Sequence, residues 1–136
     1  MVGVGVHACT DVTGFGLLGH LLELANGSGV QAVVRASAPP VLAETRELAD
    51  FGVIPGGTLR NLSFINPQVT WDPAIDELDK IVLGDAQTSG GLLIAVAPEK
   101  ATALEQALRA HGVEWVAQVG HLQARPQDQR PVLVVP

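Results

Sequence analysis

Apolar and polar positions alternate along the chain with two distinct periods. Val2–Ala8 (VGVGVHA) interleaves valine with glycine and predicts a short strand with close backbone approach on one face. From Phe15 the period changes: Phe15, Leu17, Leu18, Leu21, Leu22, Leu24 and Ala25 form a wide stripe with helical spacing. The Asn/Gly chemistry of Asn26–Gly29 ends that helix. Val30–Ala36 is valine-rich and predicts a strand, followed by a turn at SAPP. Val41–Gly52 reads as a helix with Leu42, Thr45, Leu48 and Ala49 on one face, ended by Gly52. Val53–Ile65, centred on Pro55-Gly56-Gly57, reads as turn-rich.

Asp72–Asp85 has amphipathic spacing and predicts a helix capped by Asp72, with Pro73 at its first position. Ala86–Gly91 is a small-residue loop. Leu92–Pro98 is almost wholly apolar and predicts a buried central strand. Pro98–Gly112 is the clearest helix, with Ala101, Leu104, Ala107 and Leu108 inward. VEWVAQVGHL predicts a strand that bends at Gly120, RPQDQR a turn, and Pro131–Val135 a closing strand. Strands and helices mix without a regular alternation, so the expected fold class is α+β, a mixed β-sheet covered by helices. The glycines Gly14, Gly16 and Gly19 match the spacing of a dinucleotide fingerprint, but no strand–acidic-residue context accompanies them.

Composition narrows the function classes. The chain has 136 residues, 47% hydrophobic and 16% charged, which suits one domain with a true core. Its formal net charge is −6, and no Lys/Arg cluster supplies the cationic footprint that nucleic-acid binding needs. An acidic chain that handles a polyanionic nucleotide is expected to do so through Mg²⁺ and backbone N–H groups. The single cysteine cannot form an internal disulfide, and no signal peptide or membrane span is visible. A soluble cytoplasmic protein is the expectation.

Two polar loops could carry chemistry. In the first, Thr10-Asp11-Val12-Thr13-Gly14-Phe15-Gly16 leads into a helix N-terminus, where unpaired N–H groups and the helix dipole favour anions. Thr10 and Thr13 offer hydroxyls, and Gly14 and Gly16 permit close approach. Asp11 repels a phosphate but can bind a Mg²⁺ that the phosphate also binds. On spacing alone a capped helix leads over this anion site. The second loop, Asp85-Ala86-Gln87-Thr88-Ser89-Gly90-Gly91, could form an anion nest, and there too a plain connecting turn leads. Cys9 reads as buried and inert. His7, His20, His111 and His121 lack zinc-type spacing, and His20 reads as an exposed helix residue.

Taken together, HACTDVTGFGLLGHLLELANGSGV, GVIPGGTLRNLSF and DAQTSGGLLIAV resemble the C-terminal half of selenide, water dikinase, or selenophosphate synthetase, in order and spacing. The resemblance covers essentially the whole chain, and ACTDVTGFGLLGH is long and specific. The family's second loop usually reads Asp-Pro-Gln-Thr-Ser-Gly-Gly; here Ala86 replaces the proline, which should loosen the loop. The resemblance implies a two-domain enzyme that turns ATP, selenide and water into selenophosphate, AMP and phosphate. It also implies a C-terminal domain like that of aminoimidazole ribonucleotide synthetase. The family's catalytic Cys or Sec, its Lys, most Mg²⁺–ATP aspartates and its homodimer contacts lie in an N-terminal domain that this sequence does not contain. Asp11 is then the one metal ligand that carries over, beside a phosphate-facing role for Thr10, Thr13, Gly14 and Gly16, and Cys9 is not the catalytic cysteine. The chain is expected to be an isolated domain, from a split gene or a truncation, and inactive alone. A non-catalytic nucleotide- or phosphate-binding module and a self-associating module are the alternatives.

Overall fold

A computed structural model of the protein describes residues 3–136. The largest sheet has four strands in the order β3–β6–β2–β5: β2 (Val30–Arg35), β3 (Val69–Trp71), β5 (Gly120–Ala124) and β6 (Val132–Val135). β6 is parallel to both β2 and β3, while β5 runs antiparallel to β2, so the sheet is mixed. Ala32 pairs with Val132, and Val69 pairs with Val132 from the other side. This register aligns Val34, Val132 and Val134, all buried, beneath α1 (Gly16–Ser28). From α1 come Leu18, Leu22 and Ala25, and Ile65 and Val69 complete the same core. A second, two-stranded antiparallel sheet joins β1 (Ala8–Asp11) to β4 (Leu92–Ala95). The fold class is α+β.

The apolar stripe forms α1 as its spacing predicts. The helix ends at Gly29 in the left-handed conformation (φ 66°), which lets its N–H reach the carbonyls of Ala25 and Asn26. α5 (Ala101–Ala110) follows a 3-10 turn at Pro98–Lys100 and buries Leu104.

Elsewhere the structure departs from the pattern. The strand expected at Val2–Ala8 begins only at Ala8, because Gly5 turns the chain with φ 77°; Val2 lies outside the described residues. The turn-rich reading of Val53–Ile65 is wrong: Gly56–Ile65 is a helix, α3, with Pro55 extended at its N-cap. Two glycines cost little in a first turn, and Thr58, Asn61 and Ile65 at i, i+3 and i+7 give the helix a buried face.

The helix expected from Asp72 starts later, as α4 (Glu77–Leu83). Its cap is Asp76, whose carboxylate accepts from the Asp79 N–H at 2.7 Å, whereas Asp72 only closes a turn onto Ala74. α2 (Thr45–Asp50) is shorter than Val41–Gly52, since Glu44 sits at φ 63° and breaks the helix before it; Leu42 and Leu48 are exposed. Leu92–Ala95 is not a buried central strand, for among the described residues β4 pairs with β1 alone and Leu92 is exposed. The strand expected at Val113–Leu122 starts only at Gly120 and runs on to Ala124 as β5, and a Cβ on Gly120 would strike the Val33 carbonyl. No element was expected at Val69–Trp71, which forms β3.

Candidate functional site

The two polar loops, 75 residues apart in sequence at Thr10 and Asp85, form one structure. Just beyond β1 the Val12 N–H donates to the Gly91 carbonyl (2.9 Å), and the Gly90 N–H donates to the Val12 carbonyl (3.1 Å). The Thr13 carbonyl accepts from the N–H groups of Gly16 (2.9 Å) and Gln87 (3.1 Å). Gly90 touches the Val12 backbone so closely that no Cβ would fit. Gly16 enters α1 at φ 69°, its missing Cβ 2.5 Å from the Asp85 carbonyl oxygen. Glycine is required there twice, by conformation and by contact.

Helix α3 braces the pair. The buried Asn61 amide donates to the carbonyls of Gly14 (2.9 Å) and Gly84 (3.1 Å), one from each side. Thr58 is wholly buried; its hydroxyl donates to Asp85 Oδ1 (2.5 Å) and accepts from the Ala86 N–H (3.3 Å). The Gln87 side chain donates to Asp85 Oδ2 at 3.0 Å. These bonds hold the second loop in place although Ala86 stands where a proline would stiffen it. Asp85 is thereby occupied as a structural acceptor.

Asp11 is different. It is exposed at the end of β1, level with Leu92 in the pairing. Among the described residues no group of three His, Cys, Asp or Glu side chains could enclose a metal ion, so Asp11 is a single carboxylate facing outward. One carboxylate fits Mg²⁺ only as part of a shared shell, with phosphate oxygens, water and other carboxylates completing it. Neither loop contains Lys or Arg. Any anion held there is met by backbone N–H groups, hydroxyls and a cation. Thr10 is half-buried, its hydroxyl 3.3 Å from the Asp11 carbonyl oxygen; Thr13 is half-buried, Gly14 exposed and Gly16 buried.

Two single-residue expectations are corrected. Cys9 is exposed on β1, opposite Ile94, because the two-stranded sheet leaves it uncovered. His20 is buried rather than exposed: its ring sits between Thr13 and Glu23, 5.7 Å from the Phe15 ring. Thr58, Asn61 and His20 are the site's unforeseen members. The signal for the first two is a pair of polar residues on the one face of α3 that also carries Ile65.

The model for the AIR synthase related protein, C-terminal domain, matches residues 1–132. The chain belongs to this family. It is also similar to proteins named selenide, water dikinase. Those of Pelobacter propionicus and Aeromonas hydrophila are each 46% identical, over 91% and 92% of this chain. That of Pseudomonas aeruginosa is 52% identical over 70% of it. The matched regions cover only 36%, 35% and 27% of those relatives. This AIR-synthase-type C-terminal domain therefore spans about a third of the length of the curated relatives it matches.

Proposed function

We propose that residues 1–136 are a single domain that acts as the C-terminal part of a selenide, water dikinase, and that it forms one wall of a Mg²⁺–ATP cleft. The observation that carries this reading is the fusion of the two glycine loops into one braced platform beside the exposed carboxylate of Asp11. The similarity to relatives of that name supports the substrates: ATP, selenide and water, giving selenophosphate, AMP and phosphate. Asp11 would hold the Mg²⁺, which neutralises phosphate charge when bound. Thr10, Thr13, Gly14 and Gly16 would face the phosphates. The catalytic nucleophile and the remaining ligands would come from an N-terminal domain, which in the full-length enzyme would also make a homodimer.

This chain's own contribution is positional. Thr58 and Asn61 fix the loops, Gly16 sets the start of α1 against them, and Asp11 stays accessible. Alone, the chain lacks the groups that would activate selenide or cleave ATP, so the domain by itself is inactive. Among the described residues no helix is long and apolar enough to cross a membrane, and the sparse basic residues argue against a nucleic-acid partner.

The test is an assay of selenide-dependent AMP formation. The chain alone is expected to give none, and adding the N-terminal domain of a dikinase relative should restore it. An NMR titration of the chain with Mg²⁺–ATP should move amide signals of residues 10–16 and 85–91, and Asp11→Asn should remove the Mg²⁺-dependent part. AMP formation by the chain alone would sink the inactivity claim; identical titrations of wild type and Asp11→Asn would sink the ligand assignment. A self-associating module is the second reading, favoured by the exposed Leu42, Phe51 and Val53 around α2. Sedimentation that changes with concentration would support it.

A further inference from the structure

The Thr13 hydroxyl is tied into a chain of three side chains. Its Oγ1 lies 3.0 Å from His20 Nε2, and His20 Nδ1 lies 3.2 Å from Glu23 Oε2. Helical spacing puts His20 and Glu23 on one face of α1, three residues apart. His20 is only 8% exposed, while the Glu23 side chain is 64% exposed to solvent. An ionised carboxylate has no proton to give. The bond to Glu23 therefore requires the proton on Nδ1, and in the neutral ring this leaves Nε2 as a bare acceptor. A partner at one ring nitrogen sets the role of the other, as it does for histidines oriented by carboxylates elsewhere. Thr13 must then donate to Nε2, and a hydroxyl has one proton only.

We infer that Glu23 and His20 are positioning residues that fix the direction of the Thr13 hydroxyl, making Thr13 an acceptor toward the nucleotide side of the loop and never a phosphate donor. The inference rests on the proposed nucleotide-facing role of the loop and deepens it. The Thr13 carbonyl is already committed, accepting from Gly16 and Gln87. With the hydroxyl proton spent on His20, phosphate contact falls to the backbone N–H groups and to a cation. An oxygen that can only accept suits the water shell of such a cation, because those waters donate.

The experiment reads the imidazole directly. NMR correlation of the His20 ring nitrogens, in mildly alkaline buffer, is expected to show the Nδ1–H form dominant, the reverse of the preference of unrestrained histidine. Glu23→Leu changes an exposed side chain and should shift His20 toward the Nε2–H form; Glu23→Gln, which keeps an acceptor oxygen, should restore Nδ1–H. A wild-type ring protonated at Nε2, either alone or in a doubly protonated ring, would overturn the inference, since Thr13 would then accept from the ring and release its own proton outward. A second arm titrates the wild-type chain with Mg²⁺–ATP. Absence of any Mg²⁺–ATP response in wild type, with the Nδ1–H form present, would instead remove the nucleotide reading and leave the assignment of the ring intact.

Discussion

Gly16→Ala is the substitution on which the description of the site depends most directly. Two costs add at this position. The backbone sits at φ 69°, where an L residue costs roughly 1–2 kcal/mol. The new methyl would also lie 2.5 Å from the Asp85 carbonyl oxygen and 2.9 Å from the Gly84 carbonyl carbon and oxygen. Those are main-chain atoms that cannot swing aside, and forcing a methyl into a packed site costs about 1–3 kcal/mol. Alanine also restricts the unfolded chain, which returns roughly 0.4–1 kcal/mol. The net expectation is a loss of about 2–4 kcal/mol.

Two other glycines, one within α1 and one at its C-cap, separate the terms. Gly29 has φ 66° with nothing within 4 Å of a Cβ, so Gly29→Ala carries the conformational cost alone. It should lose about 1 kcal/mol. Gly27 is helical, without positive φ and equally open, so Gly27→Ala should gain about 0.5–1 kcal/mol. Urea unfolding with a shared m-value measures all three, and the order of midpoints should be Gly27→Ala, wild type, Gly29→Ala, Gly16→Ala. If Gly16→Ala matched Gly29→Ala, the close contact with the second loop would be refuted. Amide spectra of Gly16→Ala should show changes concentrated at residues 85–91, across the contact.

The other predictions concern single side chains. Asp76→Ala should destabilise by about 0.5–2 kcal/mol in thermal melts, because it removes the cap of α4, and Asp72→Ala should cost less. Asn61→Ala leaves the Gly14 and Gly84 carbonyls without their amide donor and should cost about 1–3 kcal/mol by urea unfolding, with faster hydrogen exchange in both loops. Leu18→Ala opens the core under α1 and should cost about 2–5 kcal/mol in the same assay. Asp11→Asn changes an exposed side chain and should leave the unfolding free energy from urea within about 0.5 kcal/mol of wild type, so that any lost ligand response is a property of the site.

The sequence was most legible where one period ruled without interruption. The leucine stripe of α1, the valines of β2 and β6, and the amphipathic run of α5 all form close to where their spacing puts them. Legibility failed where a local signal was real but belonged to a neighbouring position. Asp72-Pro73 looks like a helix start, yet the chain makes one turn there before Asp76 caps α4. Pro55-Gly56-Gly57 looks like the centre of a loop, yet it is the first turn of α3. That misreading mattered most for the site, because α3 supplies the two side chains that unite the loops.

Each loop alone is ambiguous: a glycine-rich helix start and a small-residue turn have many plain explanations. What separates this arrangement from two such turns is non-local. Val12 bonds to Gly90 and Gly91, Thr13 to Gln87, and Asn61 to Gly14 and Gly84, so each loop carries the other's missing partners. No window of sequence short enough to show a period can contain those pairs. The residues left out of this bonding therefore carry the functional argument. Asp85, the more loop-embedded carboxylate, is consumed by Thr58 and Gln87 and holds the platform together. Asp11 is left out of it and is exposed at the platform's edge, which is where the proposed cation would meet a carboxylate.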